Sequence, residues 1–283
     1  MKLSELKPEE NYFVCYIDLL GFSNLTKDSI KNEKRICSIL NTFHSFIEHE
    51  VLNNNLAHVS LSDSIFIIST DLTKILHSLS NIFRQCILNG VLLRGGLSYG
   101  KCKVLKTKIA ENIYGDAVSK SVYLEGTGKG CKIFIDESVP RQLKKKESKY
   151  SQVFKPYQSP IDYKTVDVFE WEKINETFVY VNKNIKNLLK PEKSEIKKII
   201  RDNFKLINNL RFAPVYSWNA MSQEGRVHIY ATIDFISNTT REIGKGIVNT
   251  NKLPFIQYDE LANSKRAKKI VKKFNKMVEE ILS

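Results

Sequence analysis

The sequence contains no Cys-x-x-Cys pair. Its cysteines (Cys15, Cys37, Cys86, Cys102 and Cys131) are five in number, which argues against both a paired-cysteine metal motif and a closed disulfide framework. Most of them lie in apolar, strand-like runs and read as buried thiols of a reducing compartment. No window approaches the eighteen or more uninterrupted apolar residues of a membrane span, and the opening MKLSELKPEENYF has no apolar h-region. The expectation is a soluble, cytoplasmic protein with no membrane partner. Internal repeats, low-complexity linkers and recognition motifs for RNA or DNA are all missing. Acid is in short supply: 31 Asp and Glu against 44 Lys and Arg leave a formal charge of +13 and a pI near 9.3. Such a surface attracts polyanions, whether nucleoside triphosphates, nucleic acid or an acidic partner, and charge alone does not choose among them. The basic concentrations at Lys144 to Lys146, Lys193 to Arg201 and Lys265 to Lys276 read equally well as solvated helix faces.

What is present is enough for a core. At 283 residues and 42% hydrophobic content, the chain suits one large domain, or one domain with a substantial extension, and disorder is not expected. Tyr12 to Leu20 is a short apolar, aromatic and β-branched run that suits a buried strand, with Asp18 as its one charged residue. Helical spacing follows from Ser23 to about Val51 as one broken or two successive helices. A hairpin is predicted with strands at Ala57 to Leu61 and Ile65 to Ser69, and then a helix from Leu72 to Leu88. Val91 to Ser98 and Lys101 to Leu105 read as a further strand pair, with Gly95, Gly96 and Gly100 allowing unusual backbone geometry or close approach. A helix fits Gly115 to Glu125, and strands fit Lys132 to Asp136 and Tyr163 to Trp171. The order is that of a two-layer α/β fold. Beyond Trp171 the composition shifts toward Lys, Asn and Ile. Helices are expected at Glu172 to Leu189 and Lys193 to Leu210, a strand at Arg226 to Phe235, and a basic helix at Asp259 to Leu282.

Two aspartates stand out. Asp18, at the end of a buried strand before Leu-Leu-Gly-Phe-Ser, sits where a tight turn can offer backbone N–H groups beside a carboxylate, an arrangement able to hold phosphate and cation together. Capping of the following helix explains it about as well. Asp63 lies 45 residues later, in the predicted hairpin turn, where an aspartate bonding its own backbone is the ordinary reading.

The segments YIDLLGFSNL, SLSDSIFIIS, LLRGGLSYGKC, NIYGDAVSKSVYLEG and CKIFIDESV occur in this order. The series resembles the class III adenylate and guanylate cyclases over about 160 residues. Those domains carry an Asp-x-x-Gly-Phe turn, a hairpin aspartate about 45 residues on, an Arg-x-Gly-x-x-x-Gly strand pair, a Gly-x-x-Val-Asn-x-Ala helix and a strand ending in a Ser/Asp-Glu pair. The resemblance implies an α/β (α+β) fold: a ferredoxin-like βααββαββαββ core with a mainly antiparallel sheet over residues 1–172. The basic, mixed extension over 173–283, which shows no linker, is expected to pack on it. It implies a site in which Asp18, Asp63 and the Leu19 carbonyl hold two divalent ions, Mg²⁺ or Mn²⁺. The backbone of Leu20, Gly21 and Phe22 would receive the β- and γ-phosphates of a nucleoside triphosphate. Two facing carboxylates repel unless a cation neutralises them.

The match departs at informative places. Where many relatives have a ribose-orienting asparagine and a transition-state arginine, this chain has Ser119 and Tyr123. The loss removes stabilisation of the kind often worth roughly 2 kcal/mol or more per donor. Arg94, before the glycine pair, is the candidate replacement, with a structural salt bridge as its alternative, and Lys155 is a second candidate for the phosphates, from a loop before the last strand. The two positions that read adenine in adenylate cyclases hold Val59 and Asn112, neither of them charged. In these features the chain resembles the compact bacterial pyrimidine cyclases of the Pycsar antiphage systems, which make cyclic UMP or cyclic CMP and signal to a neighbouring effector. Because class III sites are completed across a head-to-tail pair, a homodimer with composite sites is expected, Asp18 and Asp63 of one subunit meeting the Asn112 to Tyr123 region of the other. The alternatives are an inactive nucleotide-binding module that keeps the fold and a nucleic-acid binder using the basic carboxy-terminal helices.

Overall fold

A computed structural model describes residues 1–27, 29–108, 111–159, 161–176, 178–212, 222–245 and 264–282. Its centre is β1 (Asn11–Leu19), a nine-residue strand buried on both faces. Phe13, Cys15, Ile17 and Leu19 face one apolar cluster and Tyr12 and Val14 the other, so period-2 alternation of the backbone yields a continuous apolar run instead of an alternating one. β1 is flanked by β3 (Ser64–Ser69) and β4 (Leu93–Lys101), both antiparallel to it. With β2 (Ala57–Ser60), β7 (Ile133–Ile135), β8 (Phe154–Gln158) and β9 (Thr165–Phe169), they form a sheet of order β2-β3-β1-β4-β7-β9-β8. Only the β4–β7 pairing in it is parallel. The fold is α+β with a mainly antiparallel sheet.

Helices α1 (Phe22–Thr26) and α2 (Ser29–Asn54) follow β1, and α3 (Leu72–Leu88) follows β3. The first turn of α3 is held by Asp71, whose carboxylate accepts from the Lys74 amide at 3.1 Å. α4 (Asp116–Glu125) packs on the other face of β4 and β1. Its approach is set by Gly96, where a Cβ would stand 2.0 Å from the Ser121 carbonyl oxygen. The second glycine after Arg94 therefore admits a helix, while Gly95 packs against β1. At the start of α4, Asp116 accepts from the Lys101 amide at 2.7 Å.

Four expectations from the sequence are corrected here. Val91 to Ser98 and Lys101 to Leu105 do not pair with each other. β4 runs through to Lys101 because it matches β1 along its whole length, from Asn11↔Lys101 to Leu19↔Leu93. β5 (Lys103–Lys106) turns away to pair with β6 (Glu111–Tyr114), a strand the sequence reading missed. The VFKPYQ segment is no loop: it is β8, whose Pro156 sits on an edge strand where a missing N–H is tolerated.

Glu172 to Leu189 forms a 3₁₀ turn at Trp171–Lys173, two-residue strands β10 (Ile174–Asn175) and β11 (Phe178–Val179), and a second 3₁₀ turn at Ile185–Asn187, with Glu176 at φ 38° breaking any helix. Arg226 to Phe235, rich in β-branched and aromatic residues, lies inside helix α6 (Gln223–Ile243). Ser222 caps that helix, accepting from the Gly225 amide at 2.9 Å, and Ile229, Ile233, Ile236, Thr240 and Ile243 keep helical spacing on its buried side. Cap and period together override the strand preference.

α5 (Lys190–Phe212) covers the expected second helix, and α7 (Ser264–Leu282) the described part of the last one, residues 259–263 lying outside the described set. The main apolar cluster runs without a break from Phe43 and Phe83 through Trp171 to Phe204, Phe235 and Phe274. Of the cysteines, Cys15, Cys86, Cys102 and Cys131 are buried and Cys37 is exposed, all as free thiols. Among the described residues no helix is long and apolar enough to cross a membrane.

Candidate functional site

The sheet brings Asp18 and Asp63 together. Asp18 stands opposite Ser64 of β3 and Arg94 of β4. The Leu19 amide donates to the Asp63 carbonyl at 3.0 Å, which locks the β2–β3 turn to the end of β1. Both side chains are half-buried and line a cavity of about 650 Å³, within the range of small-molecule and cofactor sites.

The electrostatics of this end of the sheet are unbalanced. Asp18 has its carboxyl pushed up to about 7, first by burial, then by the negative charges of Glu125 and Asp63; Arg94 and the Leu19 amide pull it down only partly. Tyr16, one turn of the pleat away, is raised for related reasons, burial first and then the charges of Asp18, Glu125 and Asp63, against a bond from Ser64. An excess of buried carboxylate beside a cavity is a place where a cation lowers the free energy. Among the described residues no three His, Cys, Asp or Glu side chains gather to hold a metal unaided. Two carboxylates and the Leu19 carbonyl nevertheless suit a hard ion such as Mg²⁺, which keeps waters and draws further oxygens from a bound phosphate.

The turn after β1 contributes less backbone than the resemblance implies. The Leu19 and Leu20 amides are committed, to Asp63 and to the Leu92 carbonyl at 2.9 Å, so Leu20 has no N–H to offer a phosphate. Gly21, left-handed at φ 81°, and Phe22 form the start of α1, and Gly21 lines the cavity.

Arg94 also faces the cavity, but its guanidinium is engaged. Nε pairs with Glu125, and Nη1 donates to the Gly128 carbonyl at 2.9 Å. The structural salt bridge considered for it is therefore formed. Lys155 is elsewhere: from β8 it pairs with Glu170 and, at 2.9 Å, with Glu242. It is not among the cavity-lining residues, because a strand, not a free loop, fixes its direction.

Val59 lies half-buried on edge strand β2, opposite Phe66. Asn112 is exposed in the β5–β6 hairpin, and Ser119 and Tyr123 are exposed on α4, Tyr123 at 76%. None of the four lines the cavity that holds Asp18 and Asp63.

Several cavity residues were not anticipated. Arg35 comes from α2, Lys129 from the Gly126–Gly130 loop between α4 and β7, and Ser222, Glu224, Gly225 and His228 from the start of α6. Lys129 carried a readable cue, a lysine among three glycines in GTGKG. Nothing local marks His228, whose backbone partner is 98 residues distant.

The chain matches no family model and no curated protein. Solved structures similar to it are cyclase domains. The guanylate cyclase domain of RhGC from Catenaria anguillulae, in complex with GTP, is 16% identical, with a TM-score of 0.46 over 58% of this chain and 97% of that one. The guanylyl cyclase Cya2 is 12% identical, with a TM-score of 0.46 over 63% and 96%. An adenylate cyclase from Trypanosoma brucei, described in its monomeric state, is 11% identical, with a TM-score of 0.46 over 57% and 89%.

Proposed function

We propose that this chain is a nucleotidyl cyclase that converts a nucleoside triphosphate to its 3′,5′-cyclic monophosphate and pyrophosphate. The observation that carries the reading is the meeting of Asp18 and Asp63 on one cavity, with Asp18 in an environment that resists its own negative charge. In the reaction the ribose 3′-oxygen bonds to the α-phosphorus, the bond to the β-phosphate bridging oxygen breaks, and the hydroxyl proton leaves to solvent. Asp18, Asp63 and the Leu19 carbonyl would hold Mg²⁺ or Mn²⁺, which supplies acidification of the 3′-hydroxyl and offsets charge on the triphosphate. Arg94 fixes Glu125 and the glycine loop beside them.

The finer reading is a pyrimidine cyclase, UTP before CTP, acting as a second-messenger synthase in antiphage defence and signalling to a cyclic-nucleotide-activated effector. Its support is the family resemblance together with the uncharged Val59 and Asn112 at the base-reading positions. Base and ribose contacts would come from a second copy. Asn112, Ser119 and Tyr123 lie apart from the cavity, on the β5–β6 hairpin and α4, two elements that also carry the exposed apolar residues Leu105, Tyr114, Val122 and Tyr123, as a surface awaiting a partner would have.

Incubating the protein with each of the four triphosphates and Mn²⁺ tests activity and base choice together. One pyrimidine substrate should yield cyclic product and pyrophosphate, with loss in Asp18→Ala exceeding the roughly 10–100-fold typical of an outer-shell metal partner. No cyclic product from any triphosphate overturns the reading. A second reading, an inactive nucleotide-binding module, is favoured by the engagement of Arg94 with Glu125 and Gly128. It predicts thermal stabilisation by nucleotide without release of pyrophosphate.

A further inference from the structure

The carboxy-terminal segment reaches into this cavity through helix α6, and one of its side chains is held in a defined chemical state. His228 is 5% exposed. The Gly130 amide donates to its Nδ1 at 3.0 Å, so Nδ1 must be the lone-pair nitrogen and the ring hydrogen must sit on Nε2. Burial, with the charges of Arg94 and then Lys129, holds the ring's pKa at about 4, and the imidazole is neutral at physiological pH. The ring cannot easily turn. Cys131 N donates to Thr232 Oγ1 at 2.8 Å one turn further along α6, and at Gly130 (φ +88°) a Cβ would come within 3.0 Å of Ala231. Helix and glycine loop are thus seated against each other, and His228 presents a fixed N–H donor to the cavity it lines.

The acid beside this donor, near it but not bonded to it, indicates what it recognises. Glu224 Oε1, from the first turn of α6, stands 3.8 Å from His228 Nε2 and 3.5 Å from Lys129 Nζ. Its side chain is 64% exposed and therefore free to swing out. An anionic oxygen lying between a lysine and a neutral N–H donor is an internal stand-in for another anion. Arg35, exposed on α2 and lining the same cavity, adds a cation with no ion-pair partner among the described residues.

We propose that His228 Nε2–H and Lys129 form a two-point site for a phosphate oxygen of the substrate's polyphosphate tail, and that the Glu224 carboxylate gives way when the phosphate enters. The inference rests on the nucleotide reading of the cavity and adds to it a role for the segment beyond residue 172. His228 and Lys129 would hold the tail while Asp18 and Asp63 work at the α-phosphate end. Exchange of Glu224 for phosphate would make the seating of α6 depend on substrate.

The test uses the full chain with Mn²⁺ and two probes, inorganic tripolyphosphate and UTP, whose affinities are measured by calorimetry beside turnover. His228→Asn keeps an acceptor near Nδ1 for Gly130 and loses the donor. His228→Gln keeps an N–H near the Nε2 position. A hydrogen bond to a charged group predicts that His228→Asn weakens tripolyphosphate and UTP roughly tenfold or more, with His228→Gln recovering much of the loss. Glu224→Gln should tighten tripolyphosphate several-fold by removing a competing charge. Unchanged affinity in His228→Asn, with wild-type turnover normal, overturns this inference alone. If His228→Asn does not fold, weaker tripolyphosphate binding by Glu224→Gln overturns it instead. A wild-type chain that binds neither probe overturns the functional reading as well.

Discussion

Two clusters of charge are set into the same sheet, and they are built in opposite ways. At the β7-β9-β8 end, Glu170 and Glu242 face Lys155 and Lys173. Lys173 lies 2.5 Å from Glu170 and 3.2 Å from Glu242, Lys155 pairs with both acids, and the Thr239 hydroxyl donates to Glu170 at 2.9 Å. Two acids meet two bases, Glu170 is fully buried, and the network ties α6 to the sheet. A third buried acid, Glu172, has no ion-pair partner among the described residues, and burial followed by the charge of Glu170 pushes its carboxyl up to about 8. At the β1 end, Arg94 is set against Asp18, Asp63 and Glu125, and a cavity that Lys129 and Arg35 also line opens beside them. Burial of charge is common to both. The outlet is not: the first cluster is closed inside the protein, where its surplus acid Glu172 is met by a proton, whereas the second opens on a cavity where a cation can meet the surplus. That difference separates a structural tie from a site.

The largest expected effect breaks the balanced cluster. Glu170→Ala leaves two lysines without their buried acid and should cost about 3–5 kcal/mol of unfolding free energy, measured by denaturant titration, because removing one partner strands the others. Next is the packing that places Glu125. Gly96→Ala sets a methyl 2.0 Å from the Ser121 carbonyl, and overpacking of this kind should cost about 1–3 kcal/mol. It should also displace α4 and weaken the Arg94–Glu125 pair, readable as lost activity at a temperature where the variant is folded.

The smallest effect has the opposite sign and sharpens the contrast. Asp18 has its folded pKa raised to about 7, so it binds protons more tightly folded than unfolded and lowers stability progressively as pH rises toward 7. Asp18→Asn should therefore be the more stable protein in metal-free buffer at pH 8, by about 1–2 kcal/mol once solvent screening of a half-buried group is allowed for. The advantage should shrink at pH 5. Melting temperatures across that range check it, and a variant less stable than the parent at pH 8 would place Asp18 among the structural ties.

The elements that carry Asp18 and Asp63 were legible in the sequence, and the α6 wall of the same cavity was not. β1 announced itself because both its faces are buried, and α3 because Asp71 caps a long amphipathic run. Asp18 and Asp63 were singled out through motif order; their meeting depends on the β1–β3 register, which sets Asp18 opposite Ser64 and which no local pattern encodes. What was not legible depends on distant partners. α6 carries a strand-like composition that only its Ser222 cap and core contacts overrule. Lys155 is directed by acids from β9's end and from α6, and the tautomer of His228 is set by Gly130. Such pairings leave no periodic trace in one sequence, and two of them concern residues that wall or miss the site.

The sharing of a divalent cation by Asp18 and Asp63 is tested most directly by titrating Mn²⁺ into the protein with UTP present and following the free-ion electron paramagnetic resonance signal. The account predicts uptake by the wild-type chain and by Glu170→Gln, with sharp loss of uptake in both Asp18→Asn and Asp63→Asn. Undiminished uptake in either aspartate variant would contradict it.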